Sequence, residues 1–213
     1  MQNPIRKAIC ILLAALILLT FAHTPVSAAP GSAESQDPAI LNIYSASPWA
    51  QEYILKAIGL GLVPEVLQAE YTQVITRAEF AALAVALYES RMGIIRGRVI
   101  FADTFDPNVE KLAYVGIVEG IGDNTFNPNG QLNREQAATF LARLSYAMGH
   151  QLPDAGPTFA DNNAISGWAY DSVGQIQFVR IIVGTGDNIF SPQAPFTREQ
   201  GIIALLRLHD QLR

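Results

Sequence analysis

Thr197-Arg198-Glu199-Gln200 opens a stretch in which Ile202, Ile203, Leu205, Leu206 and Leu208 recur at helical spacing. The same opening stands twice more upstream, as Asn133-Arg134-Glu135-Gln136 and Thr76-Arg77-Ala78-Glu79. Behind them run Ala137, Phe140, Leu141, Leu144 and Met148, and Phe80, Leu83, Ala84, Leu87 and Tyr88. Thr and Asn are good N-caps, and a Glu or Gln three positions later can return a bond to the N-cap N–H. The spacing therefore predicts three amphipathic helices, each begun by a capping box. The arginine between has no part in capping. A cation at the positive end of a helix is mildly unfavourable, so its recurrence asks for another reason.

Working outward, more anchors repeat. Gly120 precedes Asn133 by 13 residues, and Gly184 precedes Thr197 by the same 13. Between them lie Gly122-Asp123-Asn124-Thr125-Phe126-Asn127-Pro128 and Gly186-Asp187-Asn188-Ile189-Phe190-Ser191-Pro192. Phe101-Ala102-Asp103 matches Phe159-Ala160-Asp161, and Trp49-Ala50 matches Trp168-Ala169. Shorter first helices are expected at Trp49–Ile58, Asn108–Val115 and Trp168–Phe178. A helix–loop–helix unit cannot bury its apolar stripe alone, whereas three units can share one core. The fold class expected is all-α, with the second helices meeting centrally. The repeats are drawn at 43–95, 99–150 and 157–213, the first the most divergent.

Ahead of the repeats, Arg6-Lys7, an apolar run from Ala8 to Ala22 and the small residues Val26-Ser27-Ala28 read as a cleaved secretory signal over 1–28. Residues 29–42, rich in Ala, Ser, Pro and Gly, read as a linker. The leader holds two positive charges and no acidic residue, so its removal takes the net charge from −5 to −7. An acidic chain is a poor electrostatic partner for nucleic acid. The single cysteine, Cys10, falls within the leader, which leaves no thiol chemistry for a mature form.

These repeated residues resemble the S-layer homology (SLH) domain family. Its pattern runs Phe-x-Asp, Trp-Ala, a Gly-Ile-x-x-Gly turn, a Gly-Asp-Gly-x-Phe-x-Pro loop, then Thr-Arg-Ala-Glu opening a helix. Here it is carried by Phe159, Asp161, Trp168-Ala169, Ile181 to Gly184, Gly186-Asp187, Phe190, Pro192 and Thr197-Arg198. Asn124 and Asn188 stand where the pattern has its second loop Gly, and Asn tolerates the left-handed turn. Repeat one has no Phe-x-Asp start and no Gly-Asp in its loop, and repeat two lacks the Trp, with Phe105 as its substitute.

The resemblance implies a pseudo-trimeric helical bundle with grooves between neighbouring repeats. It also implies a non-catalytic, secreted wall anchor of bacteria, whose partner is a secondary polysaccharide attached to peptidoglycan, often pyruvate-bearing. It assigns carbohydrate contact to Arg77, Arg134 and Arg198. A guanidinium matches a carboxylate with two parallel hydrogen bonds. The helix N-terminus would add free N–H groups. Gly120 and Gly184 would let a sugar approach the backbone, and Trp49 and Trp168 would offer an apolar face, although by residue type both read first as core aromatics. Asp123 and Asp187 read as turn-stabilising carboxylates, with direct ligand contact as the alternative.

Other chemistries find little support. The Asp123–Gly130 loop lacks EF-hand spacing. The histidines are isolated, and no phosphate loop, dinucleotide fingerprint or nucleophile elbow occurs. No metal or cofactor is expected. The competing expectation is an envelope interaction module, docking another protein through grooves that have lost their carbohydrate contacts.

Overall fold

The computed structural model describes residues 42–212; the expected signal and most of the linker lie outside them. Among the described residues six α-helices alternate short and long: α1 (Gln51–Gly59), α2 (Arg77–Met92), α3 (Pro107–Tyr114), α4 (Arg134–Ala147), α5 (Tyr170–Phe178) and α6 (Arg198–Gln211). Only isolated bridges, and no sheet, occur among the described residues. All three long helices carry the expected capping box, in both directions. Trp49 and Trp168 fall just before their short helices rather than inside them, and both are exposed, as is Phe105 at the matching place before α3. None is the core aromatic that its apolar character allowed.

The pairing of helices is cyclic. Each long helix packs on the short helix of the following repeat: α2 on α3, α4 on α5, and α6 back on α1. The long helices also meet, α6 against α2 and α4, while Phe80 and Phe140 bring α2 to α4 with ring centroids 5.9 Å apart. Every residue of the three predicted stripes is buried except Tyr88, which is half-buried. Removing a Phe or Leu side chain from water contributes about 1.5–3 kcal/mol, so this shared core is the main stabilising term.

At the centre the three loops close a triangle of backbone hydrogen bonds. Ile75 N–H donates to Phe196 O (2.9 Å), Phe196 N–H to Leu132 O (2.9 Å) and Leu132 N–H to Ile75 O (3.1 Å). All three residues are fully buried, where an unpaired amide would be costly. The same docking uses the helix starts. Arg77 and Ala78 N–H donate to Gly130 and Pro128 O, Arg134 and Glu135 N–H to Ala194 and Pro192 O, and Arg198 and Glu199 N–H to Gln73 and Tyr71 O. The third amide of each helix is taken by the N-cap side chain. The expectation of free helix-start N–H groups for a ligand is therefore corrected: the next repeat's loop has consumed them.

Candidate functional site

The recurring arginine sits one residue into each long helix and reaches into the loop of the next repeat. Arg77 Nε donates to Phe126 O (2.9 Å) and Nη2 to Glu119 O (3.1 Å). Its guanidinium carbon lies 4.3 Å from the Phe126 ring centroid. Arg134 repeats this arrangement on Phe190 O (2.6 Å) and Val183 O (2.7 Å), over the Phe190 ring at 4.9 Å. Both are buried, 8% and 4% exposed, which rules out the surface ion pair that an isolated reading would favour. Burial pushes the Arg134 pKa down to about 10, with Asp161 only partly opposing it; Arg77 moves the same way beside Asp103. Each remains charged at neutral pH, largely desolvated, and bonded to carbonyls rather than to a carboxylate.

Two grooves form on these arginines. One, about 350 Å³, is lined by Arg77, Gly120, Gln136, Arg143 and Trp168. The other, about 450 Å³, is lined by Arg134, Gly184, Gln200, Arg207 and Trp49. Gly120, Gln136 and Arg143 correspond to Gly184, Gln200 and Arg207 at a constant offset of 64, and Arg77 and Trp168 correspond to Arg134 and Trp49 by their place in the repeat, so each groove takes an arginine from one repeat, a loop and long helix from the next, and a tryptophan from the third. Phe140 in the first groove stands where Ala204 stands in the second, and the second is the larger. Trp168 and Trp49 are 60% and 56% exposed.

The third arginine is placed differently. Arg198 Nη2 donates to Glu79 Oε1 (2.6 Å), and Nη1 donates to Ala69 O (3.2 Å) and Glu70 Oε2 (3.3 Å). Ala69 O is the counterpart of the Phe126 and Phe190 carbonyls. Glu70 occupies the place of Asn127 and Ser191, and all three have positive φ (51°, 59° and 57°). Glu79 occupies the place of Gln136 and Gln200. Two carboxylates have thus replaced neutral side chains around this one guanidinium. The bond to Glu79 raises the Arg198 pKa despite some desolvation. Ala86 stands where the other grooves have Arg143 and Arg207.

The glycines serve the loop fold itself, and the turn aspartates do not make the turn bonds expected of them. A Cβ on Gly120 would lie 2.6 Å from Thr125 O, and one on Gly184 2.7 Å from Ile189 O. The loop itself demands glycine there, although both residues line their grooves. Asp123 and Asp187 are exposed turn residues with φ of 48° and 46°, and no side-chain hydrogen bond of theirs occurs among the described residues. The expected turn bonds come instead from Asp103 and Asp161. Asp103 accepts from Phe126 N–H (2.8 Å) and Asn127 N–H (2.7 Å), and Asp161 accepts from Phe190 and Ser191 N–H (both 2.8 Å).

Sequence reasoning missed Arg143 and Arg207, and it missed Glu135 and Glu199. Both glutamates are buried and bind serines of the following repeat: Ser166 N–H and Oγ for Glu135, Ser47 N–H and Oγ for Glu199. The doubled Ser-x-Trp-Ala, at 47–50 and 166–169, was the available signal.

The family model of the S-layer homology domain matches residues 102–138 and 158–200. Those two segments are S-layer homology segments. These two segments hold the loops and long-helix starts of repeats two and three, and residues 43–95 repeat their element order and capping box. Similar stretches occur in an amylopullulanase of Thermoanaerobacterium thermosulfurigenes, 29% identical over 71% of this chain and 8% of that protein. An exoglucanase XynX of Acetivibrio thermocellus is 29% identical over 71% of this chain and 14% of its own length. An endoglucanase of Bacillus sp. (strain KSM-635) is 32% identical over 40% of this chain and 9% of that enzyme. The chain thus spans less than a sixth of these relatives, and the likeness is confined to their S-layer homology region. S-layer homology domains anchor proteins to the cell wall, and the relatives point to a bacterial cell surface. No helix among the described residues is long and apolar enough to cross a membrane.

Proposed function

We propose that this S-layer homology chain is a non-catalytic wall anchor that binds an acidic secondary polysaccharide, with pyruvylated sugars as the preferred units, through two of its three inter-repeat grooves. One observation carries this reading. Arg77 and Arg134 are desolvated cations with two nitrogens spent on carbonyls and none on a carboxylate, each beside an exposed tryptophan. A buried cation that Asp103 or Asp161 balances only from a distance, with no carboxylate bonded to it, gains from an incoming anion, and a ketal-linked carboxylate presents one in fixed geometry. The tryptophan face supplies apolar contact for the attached ring. Arg207 puts a second positive charge on the wall of one groove and offsets the acidic net charge locally; in the other, Arg143 is paired with the exposed Glu119 (3.5 Å), a contact an incoming anion would compete for.

Co-sedimentation with purified sacculi, intact or stripped of secondary polymer, tests the reading. Intact sacculi are expected to pull the protein down. Arg77→Ala and Arg134→Ala are each expected to weaken binding about tenfold, and the double variant to abolish it. Equal sedimentation on stripped sacculi would reject the polysaccharide.

The interaction-module alternative draws support only at the third groove. There Glu79 and Glu70 hold Arg198, and a polymer carboxylate would have to displace them.

A further inference from the structure

Both working grooves depend on a tryptophan contributed by a third repeat through a short exposed turn. Exposure of a large aromatic on a loop ordinarily means freedom to move, and a stacking platform that moves loses affinity to ordering entropy. The structure provides a restraint in each case. Glu135, 2% exposed, accepts from Ser166 N–H (2.9 Å) and Ser166 Oγ (2.8 Å), and from Gln193 Nε2 (2.7 Å). Glu199, 4% exposed, accepts from Ser47 N–H (2.9 Å) and Ser47 Oγ (2.9 Å). Each serine heads a tight turn closed by its own carbonyl, with Ala50 N–H to Ser47 O at 2.8 Å and Ala169 N–H to Ser166 O at 2.9 Å. Ala50 and Ala169 are fully buried. The tryptophan is therefore strung between a serine fixed by a carboxylate and an alanine fixed in the core.

The third groove provides an internal comparison. Repeat one has Ala78 where the others have these glutamates, and the aromatic at the matching place, Phe105, is 87% exposed. The carboxylate and the tryptophan occur together in two grooves and are absent together from the third.

We propose that Glu135 and Glu199 are positioning residues, whose buried carboxylates fix Trp168 and Trp49 over their grooves by gripping Ser166 and Ser47. They act through the turn and touch no ligand themselves. A carboxylate suits the task because it accepts both serine donors at once, and charge-assisted bonds to it are short and strong. Its place in the first turn of the helix also favours negative charge. As a statement about binding, the inference rests on the groove reading above; as a statement about the tryptophans, it stands by itself.

The chain has only two tryptophans, so 5-fluorotryptophan labelling gives one 19F resonance per groove, assigned by Trp49→Phe. In Glu135→Ala the Trp168 resonance is expected to shift and broaden while that of Trp49 stays in place, and Glu199→Ala should do the reverse. Alanine already stands at this position in repeat one, so the fold accommodates it. Ser166→Ala, which removes only the hydroxyl, should move the Trp168 signal in the same direction and covers any failure of Glu135→Ala to fold. An unchanged Trp168 resonance in a folded variant, or equal responses from both tryptophans, would overturn the proposal.

On sacculi, Glu135→Ala is expected to bind at least fivefold more weakly, and Glu135→Ala/Trp168→Ala no more weakly than Trp168→Ala alone. A selective 19F response with undiminished sedimentation would support the positioning role and reject the wall-binding reading of that groove.

Discussion

At Glu79 one oxygen atom decides what the neighbouring arginine is available for. Gln136 and Gln200 cap their helices as well as Glu79 does, but only Glu79 also neutralises a guanidinium. Glu79→Gln would turn an amide N–H₂ toward Arg198 or lose the N-cap bond. It is expected to cost about 1–2 kcal/mol, seen as a fall in Tm, while sedimentation with sacculi does not decrease. Asp161 has a pH signature. Desolvation pushes its carboxyl up, but the bonds from Phe190 and Ser191 and the charge of Arg134 outweigh that and hold it below its ordinary 3.8. A group depressed by folding stabilises above its unfolded pKa and loses that contribution as pH falls through the folded value. Wild type is therefore expected to lose stability below about pH 4, and Asp161→Asn to flatten that part of the acid-unfolding curve. The arginines were legible in the sequence because capping did not account for them. Their carbonyl partners were not, because a backbone acceptor leaves no trace in residue identity.

Among the elements, the long helices were the most legible and the short helices the least. Each long helix announces itself through a cap and a stripe, and all three boxes form as the spacing required. Asn133→Ala should cost about 1 kcal/mol in chemical denaturation, the usual value of an N-cap. The short helices run only eight or nine residues; the starts of α1 and α5 are expected two residues early because Trp reads as a first helical residue, whereas that of α3 is expected one residue late, at Asn108 instead of Pro107. A 3-10 turn at Gly167–Ala169 holds Trp168 outside instead. Helical periodicity marks which residues share a face but not which side of a boundary an aromatic falls on. The loops show the same limit. Gly184 invited a reading in terms of sugar access, yet its missing Cβ makes room for Ile189 O and Phe159. Gly184→Ala is expected to destabilise by about 1–3 kcal/mol even without ligand, which equilibrium unfolding would register.

For the whole molecule, three-fold repetition suggested the shared core but not the order of pairing. Sequence neighbours within a repeat do not form the main helix contacts. Each long helix pairs forward, and α6 closes onto α1. A variant lacking residues 43–95 would strip α6 of both α1 and α2 and leave Phe196 O without its donor. It is expected to be unfolded or aggregated by circular dichroism and light scattering, rather than to behave as a shorter anchor.

The hydrogen-bond triangle of Ile75, Leu132 and Phe196 carries a kinetic consequence. Its members are spread over 121 residues of chain, and each gives its amide to one neighbour and its carbonyl to the other. An open solenoid can nucleate on any unit and zip along its length. A closed three-way junction has no such gradual route, because two units leave one amide and one carbonyl exposed to be buried without partners. Completion waits for the most distant contact, and contacts at long sequence separation form slowly. The chain should therefore refold in a single cooperative phase, and a nascent chain ending before Phe196 should remain sensitive to protease.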